Sequence, residues 1–373
     1  MTREEACAKI DEAIEHFGFT GKLLGKTPYG NGHINDTFLL VYREDNNQTK
    51  RYILQRMNHE IFKDTKGLME NIIGVTSYLR EQIVRSGGDP ERERLNFIRT
   101  LDGKDYYTDS TNNFWRVCGF IENTVCLDSA TSPGEFYQSA VAFGRFQRLL
   151  SDYPAHTLHE TIANFHNTAS RFNDFKRAVQ EDVCVRVKEA GPEIKFAMER
   201  EKEASVLVNM QKSGELPLRV SHNDTKLNNV LLDSQTRKAI CVIDLDTVMP
   251  GLAVNDFGDS IRFGASTAKE DEQDLSKVDF DINLFESYTR GFLEACGGNL
   301  TKNEIAMMPT AAKMMTFECG IRFLADYLEG DHYFKINREK HNLERCRTQF
   351  KLVEKMEQKM DEMNRIVRKY AAI

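Results

Sequence analysis

Apolar residues recur with a period of two in short runs up to about residue 121, and with a period near 3.6 beyond it. A strand presents alternate side chains to one face and a helix every third or fourth, so this change of period predicts a β-rich first part and a mainly helical remainder. The strand-like runs cover about 21–27, 35–42, 51–57, 95–101 and 114–121, and Asp45-Asn46-Asn47 between the second and third predicts an antiparallel hairpin. A helix at 3–18 precedes them, and a second interrupts them with Leu68, Ile72, Val75, Leu79 and Ile83 on one face. Beyond the runs, Ser132-Pro133-Gly134-Glu135 reads as a capping box that opens a helix to about residue 150. Helices are predicted at about 168–181, 192–212, 277–295, 302–329 and 338–371. The last carries Leu343, Cys346, Phe350, Val353, Met356, Met360 and Met363 on one stripe, read as a packing face. The chain is therefore expected to be α+β, with a β-rich lobe at 1–121 and a mainly helical lobe at 122–373, joined through 121–131.

A chain of 373 residues exceeds one ordinary core, which also predicts two lobes sharing a cleft. The 50 Lys+Arg and 57 Asp+Glu are interspersed and leave a net charge of −7, with no basic stripe for a nucleic-acid backbone. Residues 1–16 mix acids and bases without an apolar core, and no apolar run is long enough to span a bilayer, so a cytoplasmic enzyme is expected. The 8 Cys are scattered without a C-x-x-C pair, which predicts reduced thiols rather than a zinc site or disulfide framework. Nothing in the sequence calls for an obligate protein partner.

Between the helices ending near 212 and beginning near 277 lies an island of strand-like sequence at 218–221, 230–232 and 239–243. The first run leads into His222-Asn223-Asp224-Thr225-Lys226-Leu227-Asn228-Asn229, which fits the kinase catalytic-loop pattern H-x-D-x-x-x-x-N. Phosphoryl transfer asks mainly for positioning and for neutralisation of phosphate charge, so a strand-end carboxylate, a nearby Asn and Mg²⁺ suffice. Asp224 is assigned as base or hydroxyl-orienting group, Lys226 as a point charge toward the γ-phosphate of ATP, Asn229 and Asp244 as Mg²⁺ ligands, and Asp246 as a further metal ligand.

A literal Asp256-Phe257-Gly258 imitates the metal-binding motif of protein kinases, but Asp244 ends a strand that can hairpin onto 230–232 and return beside Asn229. Asp256 is instead expected to cap the next short helix or to brace the loop. Gly21-Lys22-Leu23-Leu24-Gly25-Lys26-Thr27 has only three residues between its glycines and no crossover after it, so it is not read as a phosphate loop. Residues 29–35, with Gly30 and Gly32, are the better phosphate-covering hairpin. Arg56 on the third strand and Glu70 on the following helix supply the expected nucleotide-positioning ion pair, and Ile121 the connector contact with the nucleotide. His156, His159 and His166 lack a metal-ligand constellation and read as loop histidines.

The order of these pieces resembles the aminoglycoside and choline kinase-like phosphotransferases, whose fold is protein-kinase-like and bilobal. More narrowly, residues 52–57, 221–229, 242–251 and 256–259 resemble bacterial N-acetylhexosamine 1-kinases. That resemblance implies transfer of the ATP γ-phosphate to the anomeric hydroxyl of N-acetylglucosamine or N-acetylgalactosamine, in amino-sugar salvage. It also implies that the acceptor meets Asp224 and is held by Arg322 and Tyr333. The family's Trp near the C-terminus has no counterpart, because the only Trp is Trp115 in the β-rich lobe. Kinases of aminoglycosides, choline or other sugars, and a non-catalytic module that kept the fold, are the alternatives.

Overall fold

The computed structural model describes residues 3–30, 34–130 and 132–371. The β-rich part is a six-stranded sheet. Its strands β1 (Lys22–Pro28), β2 (Asp36–Arg43) and β3 (Thr49–Met57) form an antiparallel meander. The remaining strands are β4 (Phe97–Ile98), β5 (Tyr107–Thr108) and β6 (Phe114–Gly119). The order is β1-β2-β3-β6-β4, with β5 also on β6. Asn47 makes the β2–β3 turn in the left-handed conformation (φ 63°) that Asn tolerates well. The helix α1 (Arg3–Ile14) covers one face of the sheet, burying Ile10 and Ala13 with Tyr42, Tyr52, Leu54 and Trp115. The helix α2 (Thr65–Arg85) packs on the other. Asp64 caps it by accepting the Gly67 N–H (2.9 Å), and Leu68, Ile72, Val75, Leu79 and Ile83 are all buried in its core cluster.

After Gly119 the chain leaves this sheet, and β7 (Thr124–Val125) joins a second one. The helix α3 (Pro133–Leu149) starts at Ser132, whose Oγ accepts the Glu135 N–H (3.3 Å). Then come α4 (Thr168–Glu181), α5 (Gly191–Met198) and α6 (Val206–Lys212). The single helix expected at 192–212 is thus two: Arg200 swings out to Glu357 (2.9 and 2.8 Å), so the charged stretch between them ties neighbouring helices together instead of continuing one.

The island contributes β8 (Arg219–Ser221), β9 (Val230–Asp233) and β10 (Ala239–Val242), followed by β11 (Met249–Gly251). As expected, β9 and β10 form a hairpin, whereas β8 pairs with β11, a strand the sequence pattern did not reveal. The helices α7 (Ala253–Gly264), α8 (Ile282–Cys296), α9 (Lys302–Glu329), α10 (His341–Gln358) and α11 (Met360–Ala371) complete the chain. The predicted last helix starts at His341 and breaks at Lys359, and its apolar stripe from Leu343 to Met363, Met360 excepted, lies in the large C-terminal core. Among the described residues no helix is long and apolar enough to cross a membrane, and Cys118, Cys126, Cys184, Cys241, Cys296, Cys319 and Cys346 are free thiols.

Candidate active site

The loop from His222 to Asn229 runs between β8 and β9 and is held from below by α7. Asp256, in the first turn of α7 and 1% exposed, accepts from Ser221 Oγ (2.7 Å), the backbone N–H groups of His222 (2.9 Å) and Asn223 (2.8 Å), and Gln147 Nε2 (2.8 Å). Asn223 has φ 64°, and its buried N–H would otherwise lack a partner. Burial pushes the Asp256 carboxyl up, and these donors act against it. Thr225 continues the attachment, its N–H to Asp259 (3.1 Å) and its Oγ1 to the Asp256 carbonyl (2.6 Å). Asp256 therefore braces the loop, and the cap position of α7 is Leu252. The rest of the literal motif is structural too. Phe257 is fully buried among Phe285, Tyr288 and Phe292, and a Cβ on Gly258 would meet the Ala311 carbonyl at 2.6 Å, so glycine permits the approach of α9.

The bracing leaves Asp224 presented to the cleft. Its carboxylate meets Lys226 Nζ at 2.7 Å and Asn229 Nδ2 at 3.1 Å. Burial opposes the charge on Lys226, but Asp224 and Asp259 outweigh it and hold the ammonium above its usual range. Asn229 donates again to the Asp224 carbonyl (2.8 Å), which fixes its amide and leaves Oδ1 without a hydrogen bond among the described residues. The β9–β10 hairpin brings Asp244 beside it, registered by the Ile243 N–H on the Asn229 carbonyl (2.9 Å). Asp244 is left-handed (φ 57°), an uncommon conformation for Asp. Its carboxylate has no hydrogen bond or ion pair among the described residues. Crowding by the cleft walls, then the charges of Asp246 and Asp224, push its pKa up to about 6, although the side chain still meets solvent.

The free Asn229 Oδ1, the unpartnered Asp244 carboxylate and the surplus negative charge are what a hard divalent cation requires. The described residues contain no group of three His, Cys, Asp or Glu able to hold a metal on its own. A cation here would draw its other ligands from phosphate oxygens and water. Asp246 is differently placed. It is 2% exposed, ion-paired with Arg116 (2.5 Å) and accepts from Asn35 Nδ2 (2.5 Å).

The Arg56–Glu70 pair does not form. Period two puts Arg56 on the sheet face of Tyr52 and Leu54, under α1, where it pairs with Asp36 and bonds Asn113 (3.3 Å). Glu70 pairs with His159 (2.7 Å). The sheet cation that meets the acidic cluster is Arg116 on β6, 3% exposed, paired with Asp246 and cross-strand from Gln55, whose Oε1 accepts from its Nε (3.0 Å). Sequence reasoning missed it. The alternation of Phe114, Arg116 and Cys118 on one face of a buried strand was the available signal. Gly30 lies in the hairpin between β1 and β2 at φ 75°, and Gly32 lies outside the described residues. Ile121 is buried where the sheet ends, its carbonyl accepting from Thr124 Oγ1 (2.8 Å).

Arg322 on α9 and Tyr333 after it are brought together. The guanidinium lies 5.5 Å from the Phe165 ring, 5.7 Å from Tyr333 and 5.5 Å from Phe334, with its Nη2 3.5 Å from the Tyr333 hydroxyl. It has no carboxylate partner among the described residues. Trp115 is in the sheet core with Nε1 on Asp109 (2.9 Å), so the aromatic surface around Arg322 is made by these three rings. Phe165 adjoins His166, which sequence reasoning set aside as a loop residue. The His166 side chain is in fact only 9% exposed, with Nδ1 2.8 Å from Glu318 and Nε2 3.0 Å from the Asn223 carbonyl.

The sequence model of the phosphotransferase enzyme family (APH) matches residues 27–289. Among solved structures, an aminoglycoside phosphotransferase from Alicyclobacillus acidocaldarius aligns with a TM-score of 0.61 at 11% identity, covering 96% of both chains. A spectinomycin phosphotransferase in complex with ADP and spectinomycin gives 0.58 at 12%, covering 96% of this chain and 99% of that one. A choline kinase from Cryptosporidium parvum gives 0.55 at 14%, covering 94% and 93%. The fold is thus the protein-kinase-like α+β fold, with a β-sheet N-terminal region and a helical C-terminal region. With the family match extending over well more than half of its length, the chain belongs to the phosphotransferase enzyme family.

Proposed function

We propose that this protein transfers the γ-phosphate of ATP to the anomeric hydroxyl of an N-acetylhexosamine such as N-acetylglucosamine. The observation that carries the phosphotransfer reading is the convergence of Asp224, Lys226 and Asn229 with Asp244, which the β9–β10 hairpin returns to the loop. Asp224 orients the acceptor hydroxyl and takes its proton, Lys226 faces the transferring phosphoryl group, and Asn229 with Asp244 would hold Mg²⁺. When bound, Mg²⁺ neutralises phosphate charge. Gly30 on the hairpin and Ile121 beside the connector are the nucleotide contacts in this reading, and Asp246, expected as a further metal ligand, would have to release Arg116 or Asn35 to join the metal.

Arg322 and Tyr333 support a neutral sugar as acceptor. A guanidinium and a phenol hydroxyl both hydrogen-bond sugar hydroxyls, and the adjacent rings offer a surface for stacking. The same rings already face the cation of Arg322, which repels a quaternary ammonium or polyamine acceptor. A coupled ADP-release assay with N-acetylglucosamine, N-acetylgalactosamine, choline and aminoglycosides tests the reading. ³¹P NMR of the product then distinguishes an anomeric phosphate from a 6-phosphate. Turnover of choline or an aminoglycoside in preference to the sugars overturns the acceptor, and silence with every acceptor while ATP still binds overturns the kinase.

A further inference from the structure

Glu318, Arg322 and Asp326 are spaced i, i+4, i+8 on α9, so they lie on one helix face about 6 Å apart along the axis. Each meets a different part of the site. Glu318, 1% exposed, accepts from Thr168 Oγ1 (2.6 Å) and pairs with His166, whose other nitrogen is on the Asn223 carbonyl next to Asp224. Because both partners of His166 are acceptors, both ring nitrogens must donate, and the ring is an imidazolium. Asp326, 4% exposed, accepts from the backbone N–H groups of His332 (2.9 Å), Tyr333 (2.7 Å) and Phe334 (2.9 Å) and from Asn342 Nδ2 (2.8 Å). Asn342 also donates to Asp331 (2.9 Å), which pairs with Arg186 (2.6 Å). One carboxylate thus gathers three consecutive amides of the turn that carries Tyr333.

We propose that Asp326 and the Glu318–His166 pair are positioning residues that set the acceptor's hydroxyl against Asp224, with the α9 stripe as the ruler between them. Asp326 acts through Tyr333 on how tightly the acceptor is held. Glu318 acts through His166 and Asn223 on where Asp224 stands. This rests on the reading of Arg322 and Tyr333 as acceptor contacts.

The two ends of the stripe therefore give different kinetic signatures. With N-acetylglucosamine, or whichever panel acceptor the wild type turns over, Asp326→Asn is expected to raise the acceptor KM about tenfold or more with kcat within about threefold. Glu318→Gln is expected to lower kcat about tenfold with a smaller change in KM. Lys313→Met, which breaks the ion pair with Glu203 on another face of the same helix, controls for lost stability and should leave the acceptor KM in place. Amide exchange of the full-length protein supplies a readout without acceptor: the His332, Tyr333 and Phe334 amides should exchange about a hundredfold faster in Asp326→Asn and not in Lys313→Met. Unchanged exchange overturns the role of Asp326. Faster exchange with an unchanged acceptor KM, or equal effects of both variants on kcat and KM, overturns the ruler. If the wild type turns over none of the acceptors, the acceptor reading fails by itself, and exchange still decides whether Asp326 holds the turn.

Discussion

Asp224, Asp244 and Asp256 share one small region, and their surroundings separate them. Asp224→Ala removes the carboxylate held against both Lys226 and Asn229, and kcat should fall by several orders of magnitude with the fold retained. Near-normal turnover would remove Asp224 from the mechanism. Asp244 and Asp256 are distinguished by stability as well as activity. Asp256→Asn sets an amide among donors and should lower Tm, whereas Asp244 gains nothing from the fold for being charged. Its pKa is raised from 3.8 to about 6, so the folded protein binds its proton more tightly than the unfolded chain, and stability falls as pH rises through that window. Solvent in the cleft screens part of the effect. Thermal unfolding in EDTA should therefore find Asp244→Asn more stable than wild type at pH 7.5, with the difference closing toward pH 4. Its Mg²⁺-dependent activity should fall far more than that of Asp256→Asn. An Asp244→Asn variant less stable than wild type at pH 7.5 would mean that the neighbouring carboxylates do not strain this position.

At the scale of elements, legibility followed how local the determining forces are. The helices α2, α3, α4 and α9 were readable because their caps and apolar faces lie within their own sequence, as Asp64, Ser132 and the Thr301–Glu304 capping box illustrate. The return of Asp244 to Asn229 was readable because a hairpin is local. The partner of β8 was not, since β11 is far along the chain and only 3 residues long, and the break between α5 and α6 depends on Glu357, far away on α10. The Arg56 expectation failed on a local rule, because the alternation of Tyr52, Leu54 and Arg56 already points away from the cleft. Arg116, on the opposite sheet face, forms with Asp246 a buried pair in which each charge is compensated by the other. Arg116→Met strands the Asp246 carboxylate and should destabilise by roughly 3–5 kcal/mol, the usual cost of removing one partner. The double variant Arg116→Met with Asp246→Asn should recover much of that loss in urea unfolding. Additive losses would show that the two side chains do not act as a pair.

For the whole molecule, the question is what sets the sheet over the helical part when the two must enclose a nucleotide. Asp246 is the meeting point. It belongs to the segment after β10, yet it takes Arg116 from β6 and Asn35 from the end of the β1–β2 hairpin. Asn35 is itself fixed by accepting the Asn58 N–H through Oδ1 (2.9 Å), so one short side chain joins the hairpin, the end of β3 and the acidic cluster. If the β1–β2 connection covers the phosphates, as the proposed function has it, its backbone must be held at the right height, and Asn35 is placed to hold it through Asp246 and Asn58. Asn35→Ala should therefore raise the KM for ATP about tenfold while the acceptor KM changes less than about twofold, the opposite of the pattern expected for Asp326→Asn. Initial rates with each substrate varied in turn read both constants. If Asn35→Ala moves the acceptor constant instead, the hairpin does not set the nucleotide's position, and the hold on Asp246 serves the acceptor side of the cleft.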